Sequence, residues 1–300
     1  MIYVALAILF LTLVIGVPVP MCFMCSAAWL LFFGGPAMQG YSTTMVLPYG
    51  FSQMNSIVLL AIALFIIAGG IMEKGRIGEK LIDVVECFVG RIRGGLGVVA
   101  TVSCAVFGAI TGSGCATLSC IGSIMFPRLN AAGYPRGHSA ALMANSAVLG
   151  MLIPPSSIMI LYAWIGGQSV LASFLSTVVP GVILTTLLSA VNVYLLRNNM
   201  DIRIEPPQPV SVTIRQVMVK GKVALPALVM PVMVLGGIYG GIMTPTEAAA
   251  VACLYAIPVG FFIYKGLTVK SFIDILIESA VTTGVIMVML YAVMMLSKLY

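Results

Sequence analysis

Two polar interruptions in apolar sequence contain the residues of this chain that are best suited to bind a solute or an ion. The first is the run 111–117, which is made of glycines, hydroxyl-bearing residues, a cysteine and an alanine. The second is Pro154-Pro155, which Ser156 follows. Because every backbone N–H and C=O must be paired in hydrocarbon, non-helical chain at membrane depth is tolerated only where protein buries it or where it lines a watery cavity. Both interruptions are therefore predicted to belong to one working site.

The run 111–117 is predicted to be a turn between two helices. Gly112 and Gly114 permit the backbone to reverse, and hydroxyls such as that of Ser113 can satisfy exposed backbone groups. Small residues also let helices pack closely, so a purely structural role is the alternative. The limbs on either side have only about 16 residues each, too few to cross about 30 Å at 1.5 Å per residue, and this favours a binding tip.

Pro154-Pro155 is predicted to break the helix 137–165 near its middle because proline has no N–H to donate. The second half-helix would then begin with unpaired N–H groups and a partial positive charge, next to the hydroxyl of Ser156. The first half-helix would end with free carbonyls around Gly150 to Ile153, which suit a small cation. A simple proline kink without a binding role is the alternative.

Other polar residues divide between functional and structural roles. Asn145 lies on the first half-helix, where its carbonyl would coordinate Na⁺ or its amide would bond a neighbouring helix. Thr244 and Glu247 have the spacing of a helix capping box, with Pro245 at the first helical position. His138, the single histidine, lies in a basic turn and is expected to be solvated.

The composition is that of an integral membrane protein. Hydrophobic residues make up 61% of the chain and charged residues only 8%, far from the roughly 25% charged residues of soluble domains. The apolar stretches have the length of transmembrane helices, so the fold is predicted to be all-α. A single histidine provides no Ser/His/Asp set, and neither a phosphate-binding loop nor a zinc-protease motif is present, so the sequence does not resemble an enzyme.

The net charge of +6 indicates membrane topology rather than a nucleic-acid partner. All basic residues except Lys298 fall in four regions of the sequence, near 74–93, 128–136, 197–222 and 265–270. Basic residues are missing from three other connections, near 35–54, 166–169 and 241–246. The positive-inside rule therefore places the basic regions in the cytoplasm and the N-terminus in the periplasm.

The apolar segments are predicted to form two halves of opposite orientation. Helices are expected near 2–16, 21–34, 55–70, 170–195, 223–239, 244–264 and 271–300, with an amphipathic piece at 76–90, a re-entrant hairpin at 94–126 and the broken helix at 137–165. When the basic regions are placed in the cytoplasm, the helices of the second half cross the membrane in the opposite directions to those of the first half, as in inverted-repeat transporters. The predicted parts are a first repeat, a cytoplasmic linker with an interfacial segment, and the start of a second repeat, at 1–197, 198–222 and 223–300.

The order of several motifs resembles the large membrane subunit (DctM-type, M subunit) of tripartite ATP-independent periplasmic (TRAP) transporters along essentially the whole chain. The residues that carry the resemblance are Gly94-Gly95-Leu96, Gly108 to Thr117, Ile121 to Pro127, Ala132-Gly133-Tyr134, Ile153 to Ser156, Pro180-Gly181, Gly237 to Gly241 and Thr244 to Ala250. At the turn this chain reads Thr111-Gly112-Ser113 where many relatives read Ser-Gly-Ser, and this difference keeps the hydroxyl.

The resemblance implies an elevator-type importer that is coupled to Na⁺ and carries a small organic acid such as sialic acid, a C4-dicarboxylate or a sugar acid. It also implies a small four-helix Q-type membrane subunit, a soluble periplasmic binding protein, a bacterial inner membrane and no organic cofactor. Carried over residue by residue, the hairpin tip corresponds to Thr111, Gly112, Ser113, Gly114 and Thr117, and the broken helix to Gly150, Pro154, Pro155 and Ser156. Na⁺ is expected near Gly112, Ser113, Gly150 and Pro154.

Members of this family continue beyond the position of Tyr300 through a second hairpin and a second broken helix, so the sequence is expected to be truncated at its C-terminal end. Two other functions are alternatives: a Na⁺/anion carrier that needs no binding protein, and a membrane scaffold that does not transport. The residues do not identify the solute, because the candidate cavity has no strong cationic anchor for a carboxylate.

Overall fold

A computed structural model describes residues 2–34, 43–89, 94–197 and 210–299 of the chain. These residues contain helices and no strand. The helices are α1 (Ile2–Ile15), α2 (Val19–Phe33), α3 (Thr43–Met54), α4 (Ile57–Lys74), α5 (Ile77–Val89), α6 (Gly95–Thr111), α7 (Gly114–Ala131), α8 (Arg136–Ala147), α9 (Leu149–Leu152), α10 (Ser157–Ile165), α11 (Val170–Leu196), α12 (Val210–Tyr239), α13 (Pro245–Pro258) and α14 (Val269–Leu299). A π-helical turn, Val259–Ile263, continues α13.

Five of the described helices are long and apolar enough to cross a membrane. They are α4, α11, the part of α12 from Val219 to Tyr239, α13 with its π-helical turn, and α14. Helices α8 and α9 together with α10 add a sixth candidate span, which is bent by 50° at the prolines. The predicted all-α integral membrane fold is therefore confirmed for the part of the chain that the structure describes.

The chain divides into two compact units, of which the first comprises Met1–Leu59 and Ala280–Tyr300. Its core is formed by α1, α2, α3 and the end of α14, and includes Leu30, Val46 and Leu296. The Ser26 hydroxyl donates a hydrogen bond to the carbonyl of Ala5 at 2.9 Å, which ties α2 to α1.

The second unit, Leu60–Ser279, contains both polar interruptions. Helix α6 packs against α5, α7, α8, α9 and α11, so the first limb of the hairpin lies within a ring of helices. The sequence of α6 is rich in glycine and alanine, and such small residues let helix backbones approach closely. Helices α6 and α7 have 17 and 18 residues, about the length of the shortest candidate span, α4, which has 18 residues. Helix length alone therefore does not test the re-entrant geometry, which stays a prediction.

Three elements differ from the sequence-based expectation. Helix α3 occupies 43–54, where a connection was expected. Helix α7 continues through Pro127 to Ala131, because the loss of one N–H donor does not end a helix that packs on α6 and α8. Helix α12 begins at Val210 rather than near 223, and it packs along the amphipathic α5.

Two further expectations concern the second half of the chain. The capping box of α13 is confirmed, since Thr244 Oγ1 accepts from the Glu247 N–H at 3.3 Å and Glu247 Oε2 accepts from the Thr244 N–H at 2.7 Å. The first part of the predicted linker and interfacial segment, 198–209, lies outside the described residues, and the rest, 210–222, belongs to α12. The inverted repeat and its boundaries stay a prediction, because the division into compact units does not test internal symmetry.

Candidate functional site

The hairpin turn is closed by backbone conformation and by a cap. Gly112 adopts a left-handed conformation with φ of 62°, which favours glycine over residues with a Cβ. Its N–H donates to the Gly108 carbonyl at 2.7 Å, which ends α6. Ser113 is extended and caps α7, since its Oγ accepts from the Ala116 N–H at 3.4 Å.

The two threonine hydroxyls of the turn bond to the turn itself. Thr117 Oγ1 donates to the Ser113 carbonyl at 2.7 Å. Thr111 Oγ1 lies 3.3 Å from Thr117 Oγ1, and both side chains are buried. These hydroxyls were predicted as ligands, but in this conformation they hold the shape of the turn.

The second interruption separates α9 from α10. Ile153 is extended, the peptide bond between Pro154 and Pro155 is cis, and α10 begins after Ser156. Because Pro154 and Pro155 have no N–H, the carbonyls of Gly150 and Met151 have no donor four residues along the chain. The predicted pair of helix ends is therefore present, one with free carbonyls and one with free N–H groups.

The structure brings the hairpin turn and the helix break into backbone contact. A Cβ placed on Gly108 would overlap the Cα of Gly150. A Cβ on Gly150 would lie 2.6 Å from Thr117 Oγ1 and 3.1 Å from the Ser113 carbonyl oxygen. Glycine is required on both sides, because no side chain fits between α6 and α9.

A second contact joins the left-handed residue of the turn to the start of α10. A Cβ placed on Gly112 would lie 3.0 Å from the Pro155 carbonyl oxygen and 3.2 Å from the N of Ser157. A Cβ on Gly114 would lie 3.1 Å from the Ala147 carbonyl oxygen. The free N–H groups of α10 therefore begin directly beside the hairpin turn.

Ser156 is the polar residue of this junction that has no partner. Its side chain is 0% exposed, and its Oγ has no hydrogen-bond partner among the described residues. Ser156 also does not cap α10 through its side chain. A buried hydroxyl without a partner costs about 1–3 kcal/mol, so this oxygen is suited to receive a ligand.

Asn145 is not brought to the junction. Its side chain is exposed, and its amide donates to the Ala141 carbonyl of its own helix at 2.8 Å. It lines a cavity of about 120 Å³ with His138 and Asn192. The expected bond to a neighbouring helix is not present among the described residues, because this position faces away from the buried side of α8. The expected contact with Na⁺ stays a prediction.

Two glycines that shape the site were not predicted to belong to it. Gly108 makes the contact with Gly150, and a Cβ on Gly69 of α4 would lie 2.9 Å from the Thr111 carbonyl oxygen. Both are glycines in the interior of apolar helices, where glycine is a poor helix former. Glycine at such a position indicates that another chain segment packs closely there. It does not reveal which helix that segment belongs to.

A polar cluster holds the other end of α6. The buried amide of Asn192 in α11 donates to the Gly94 carbonyl at 2.7 Å, and its Oδ1 lies 2.9 Å from His138 Nε2. Tyr134 accepts from the Gly97 N–H at 3.2 Å, and burial raises the pKa of the Tyr134 phenol. His138, which was expected to be solvated, is half-buried, and α11 provides a partner for its ring that was not predicted.

A bundle of membrane-length helices in which a helical hairpin packs onto a proline-broken helix is the architecture of a secondary transporter subunit. The family profile described as "Tripartite ATP-independent periplasmic transporter, DctM component" matches residues 6–300. The chain therefore belongs to the DctM family of TRAP transporter permeases, as the resemblance predicted. Members of this family are permeases rather than enzymes, and this chain is a multi-pass protein of the inner membrane.

Several curated proteins are similar to this chain. The C4-dicarboxylate TRAP transporter large permease protein DctM of Pseudomonas aeruginosa is 37% identical over 237 residues, which cover 79% of this chain and 54% of the relative. The ectoine TRAP transporter large permease protein TeaC of Halomonas elongata is 33% identical over 276 residues, covering 87% and 64%. The isethionate TRAP transporter permease protein DctMQ of Oleidesulfovibrio alaskensis is 33% identical over 280 residues, covering 93% and 43%.

The chain spans between about two fifths and two thirds of the length of these three relatives. The names of these three relatives refer to different solutes. Family membership is thus shown, and the activity, solute and partners of the whole protein are matters for proposal.

Proposed function

We propose that this chain belongs to a Na⁺-coupled TRAP transporter that imports a small organic solute. A periplasmic binding protein delivers the solute, and a small Q-type membrane subunit accompanies the permease. The observation that carries the proposal is the junction of hairpin turn and helix break, where Ser156 Oγ is buried without a partner. The elevator-type movement and the periplasmic N-terminus implied by the sequence are parts of the same proposal.

The junction offers the oxygen ligands that a hard cation prefers. Ser156 supplies a hydroxyl, and Gly150 and Met151 supply carbonyls without intrahelical donors. Na⁺ bound there would also offset the partial negative charge at the end of α9. Gly112, Ser113 and Pro154 surround the proposed ion, but the Ser113 carbonyl already accepts from Thr117 Oγ1 and is the weaker candidate.

The solute is proposed to be a small organic acid or a zwitterion of similar size. Relatives are named for C4-dicarboxylate, ectoine and isethionate, and each of these solutes has an anionic group. The free N–H groups at the start of α10 lie beside the turn and attract negative charge. The helix terminus would thus take the place of the cationic side chain that the sequence does not provide.

Na⁺ binding can be tested without knowledge of the solute. The full chain, purified in detergent, is heated in matched NaCl and KCl series, and the apparent melting temperature is followed. We expect stabilisation by Na⁺ that grows as the logarithm of its concentration above the dissociation constant. Ser156→Ala is expected to abolish the difference between Na⁺ and K⁺.

Ser103→Ala is the matched control, because the Ser103 hydroxyl is also fully buried and without a described partner, yet it lies mid-way along α6. This variant is expected to keep the Na⁺ response. Equal stabilisation of the wild type by both salts, or a Na⁺ response that survives Ser156→Ala, would refute the proposed site.

Transport itself is tested in proteoliposomes that contain the permease, the Q-type subunit and the binding protein. Uptake of radiolabelled succinate, ectoine and isethionate is measured with and without an imposed Na⁺ gradient. We expect one of these solutes to accumulate only when both the gradient and the binding protein are present. Solute uptake at the same rate with and without the Na⁺ gradient would contradict Na⁺ coupling. Solute uptake in the absence of the binding protein would contradict the tripartite arrangement.

A further inference from the structure

Two tight turns of the second unit place a cationic residue in a conformation that favours glycine. Arg76, between α4 and α5, has φ of 60°, and Lys265, between the π-helical turn and α14, has φ of 51°. They are the two non-glycine residues with positive φ in the described part of the chain. Such residues are uncommon and point to a functional constraint when the surrounding structure maintains them.

The two turns pack directly on each other. A Cβ placed on Gly266 would lie 2.7 Å from the carbonyl carbon and oxygen of Gly75. It would also lie 3.1 Å from Cγ of Arg76, so the arginine side chain runs over Gly266. Because Lys265 precedes Gly266, the side chains of Arg76 and Lys265 start from one shared patch of backbone.

The charges of this patch are not neutralised by the described carboxylates. Lys74, two residues before Arg76, pairs with Glu278 at 2.9 Å. Arg76 and Lys265 are exposed and have no ion pair within 4.0 Å among the carboxylates that the structure describes. Glu73 and Glu79 line a cleft of about 270 Å³ together with Arg76, but neither makes such a pair with it.

The patch lies where candidate membrane spans end. Helix α4 ends at Lys74, the span of α13 ends at Ile263, and α14 begins at Val269. Phe262 is 76% exposed and Val269 is 69% exposed, so large apolar side chains flank the two cations. Cations beside exposed apolar residues are typical of the interface between headgroups and hydrocarbon.

We propose that Arg76 and Lys265 form a binding site for the phosphate of an anionic phospholipid at this membrane surface. The positive-inside rule predicts that the surface is the cytoplasmic one. The apolar flanks favour a lipid over a soluble phosphate, because the acyl chains of a lipid would cover them. The competing explanation is that the two cations only offset the negative ends of α4 and α13.

The test measures which lipids the full chain retains. Protein in mixed micelles of equal phosphatidylglycerol and phosphatidylcholine is analysed by native mass spectrometry. The wild type is expected to prefer phosphatidylglycerol. Arg76→Asn and Lys265→Asn are expected to weaken that preference by roughly fivefold for each charge removed, and asparagine tolerates positive φ.

Two control variants separate the site from general charge. Lys298→Asn removes one charge at the other end of α14, where Lys298 lies 4.7 Å from the Tyr49 ring, and should leave the preference unchanged. The exchange Arg76→Lys with Lys265→Arg should retain it. If the double asparagine variant does not fold, the two single variants, each checked for a wild-type circular dichroism spectrum, give the same answer.

Three outcomes would overturn the proposal. The first is a double asparagine variant, folded as the wild type, that still prefers phosphatidylglycerol. The second is an equal loss of preference with Lys298→Asn. The third is displacement of phosphatidylglycerol by excess inorganic phosphate, which would identify a site for a free anion rather than for a lipid.

Discussion

The hydroxyls of the hairpin turn and the buried hydroxyl of Ser156, across the junction, differ in whether they have a described partner. Thr111 and Thr117 bond within the turn, Ser113 caps α7, and Ser156 across the junction has no described partner. Four hydroxyls of similar chemistry therefore have different expected roles. Substitutions at these positions should separate effects on stability from effects on ion binding.

Thr117→Val is expected to lower the stability of the turn without removing the ion site. The variant keeps the side-chain shape but removes the donor to the Ser113 carbonyl, at a cost of about 1 kcal/mol. The apparent melting temperature should fall equally in NaCl and KCl, and Thr117→Ser should restore most of it. If Thr117→Val removed only the Na⁺ response, Thr117 would be a ligand rather than a structural residue.

Gly108→Ala is expected to separate the hairpin from the broken helix. The added methyl group would overlap the Cα of Gly150, and neither backbone can move without distorting its helix. Overpacking of this kind costs about 1–3 kcal/mol. Thermal unfolding in detergent measures the loss.

Gly137→Ala is the matched control for Gly108→Ala. A Cβ on Gly137 in α8 meets no atom within 4 Å. Alanine is the better helix former, so this variant is expected to melt at the same temperature or slightly higher. A tolerated Gly108→Ala, or a damaging Gly137→Ala, would contradict the close contact.

Among the helices, α11 fixes the start of the hairpin through a single buried amide. Asn192 bonds to both Gly94 and His138, and a Cβ on Gly97 would overlap the Asn192 side chain. Asn192 therefore holds the start of α6 through both hydrogen bonds and close packing. It sets where α6 begins, at the opposite end from the turn.

Asn192→Leu is expected to destabilise the second unit by about 1–3 kcal/mol, because the Gly94 carbonyl loses its buried donor. His138→Ala should cost less, since that ring is only half-buried. A double-mutant cycle on melting temperature should show coupling of about 0.5 kcal/mol or more between the two positions. Additive effects would show that the contact between Asn192 and His138 contributes nothing to stability.

Structural features that depend only on residues close together in the sequence could be predicted. The break at Pro154-Pro155 follows from two missing N–H donors, and the capping box of α13 follows from the spacing of Thr244 and Glu247. Helix α3 and the early start of α12 could not be predicted, because no local signal requires them. In α12, packing against α5 outweighs the weak preferences of the sequence.

The site could be predicted in part for the same reason. The composition of the turn and of the break indicated both members of the junction, including Ser156. The contact between Gly108 and Gly150 and the outward position of Asn145 depend on how helices face each other. Apolar periodicity in a membrane helix does not reveal that orientation, since lipid and protein neighbours are equally apolar.

For the whole molecule, the distribution of basic residues predicts an orientation that labelling can test. In a variant without native cysteines, single cysteines replace Gln168 in the uncharged 166–169 connection and Gln208 in the proline-rich linker. In intact cells with a permeable outer membrane, an impermeant maleimide should label the cysteine at position 168 and not the one at position 208. Labelling only at position 208 would reverse the orientation, and labelling at both positions would contradict a single membrane crossing by α11.

The hydrogen bonds of the hairpin turn also bear on how the protein assembles during synthesis. All of them join residues between Gly108 and Thr117, so the turn needs no later part of the chain to take its shape. The broken helix is translated afterwards, so we expect Gly150 to dock on a hairpin that has already formed. Ribosome-bound chains that end before α8 and carry a C-terminal linker long enough to bring α6 and α7 out of the exit tunnel should already protect the Gly112 and Thr117 amides from hydrogen exchange.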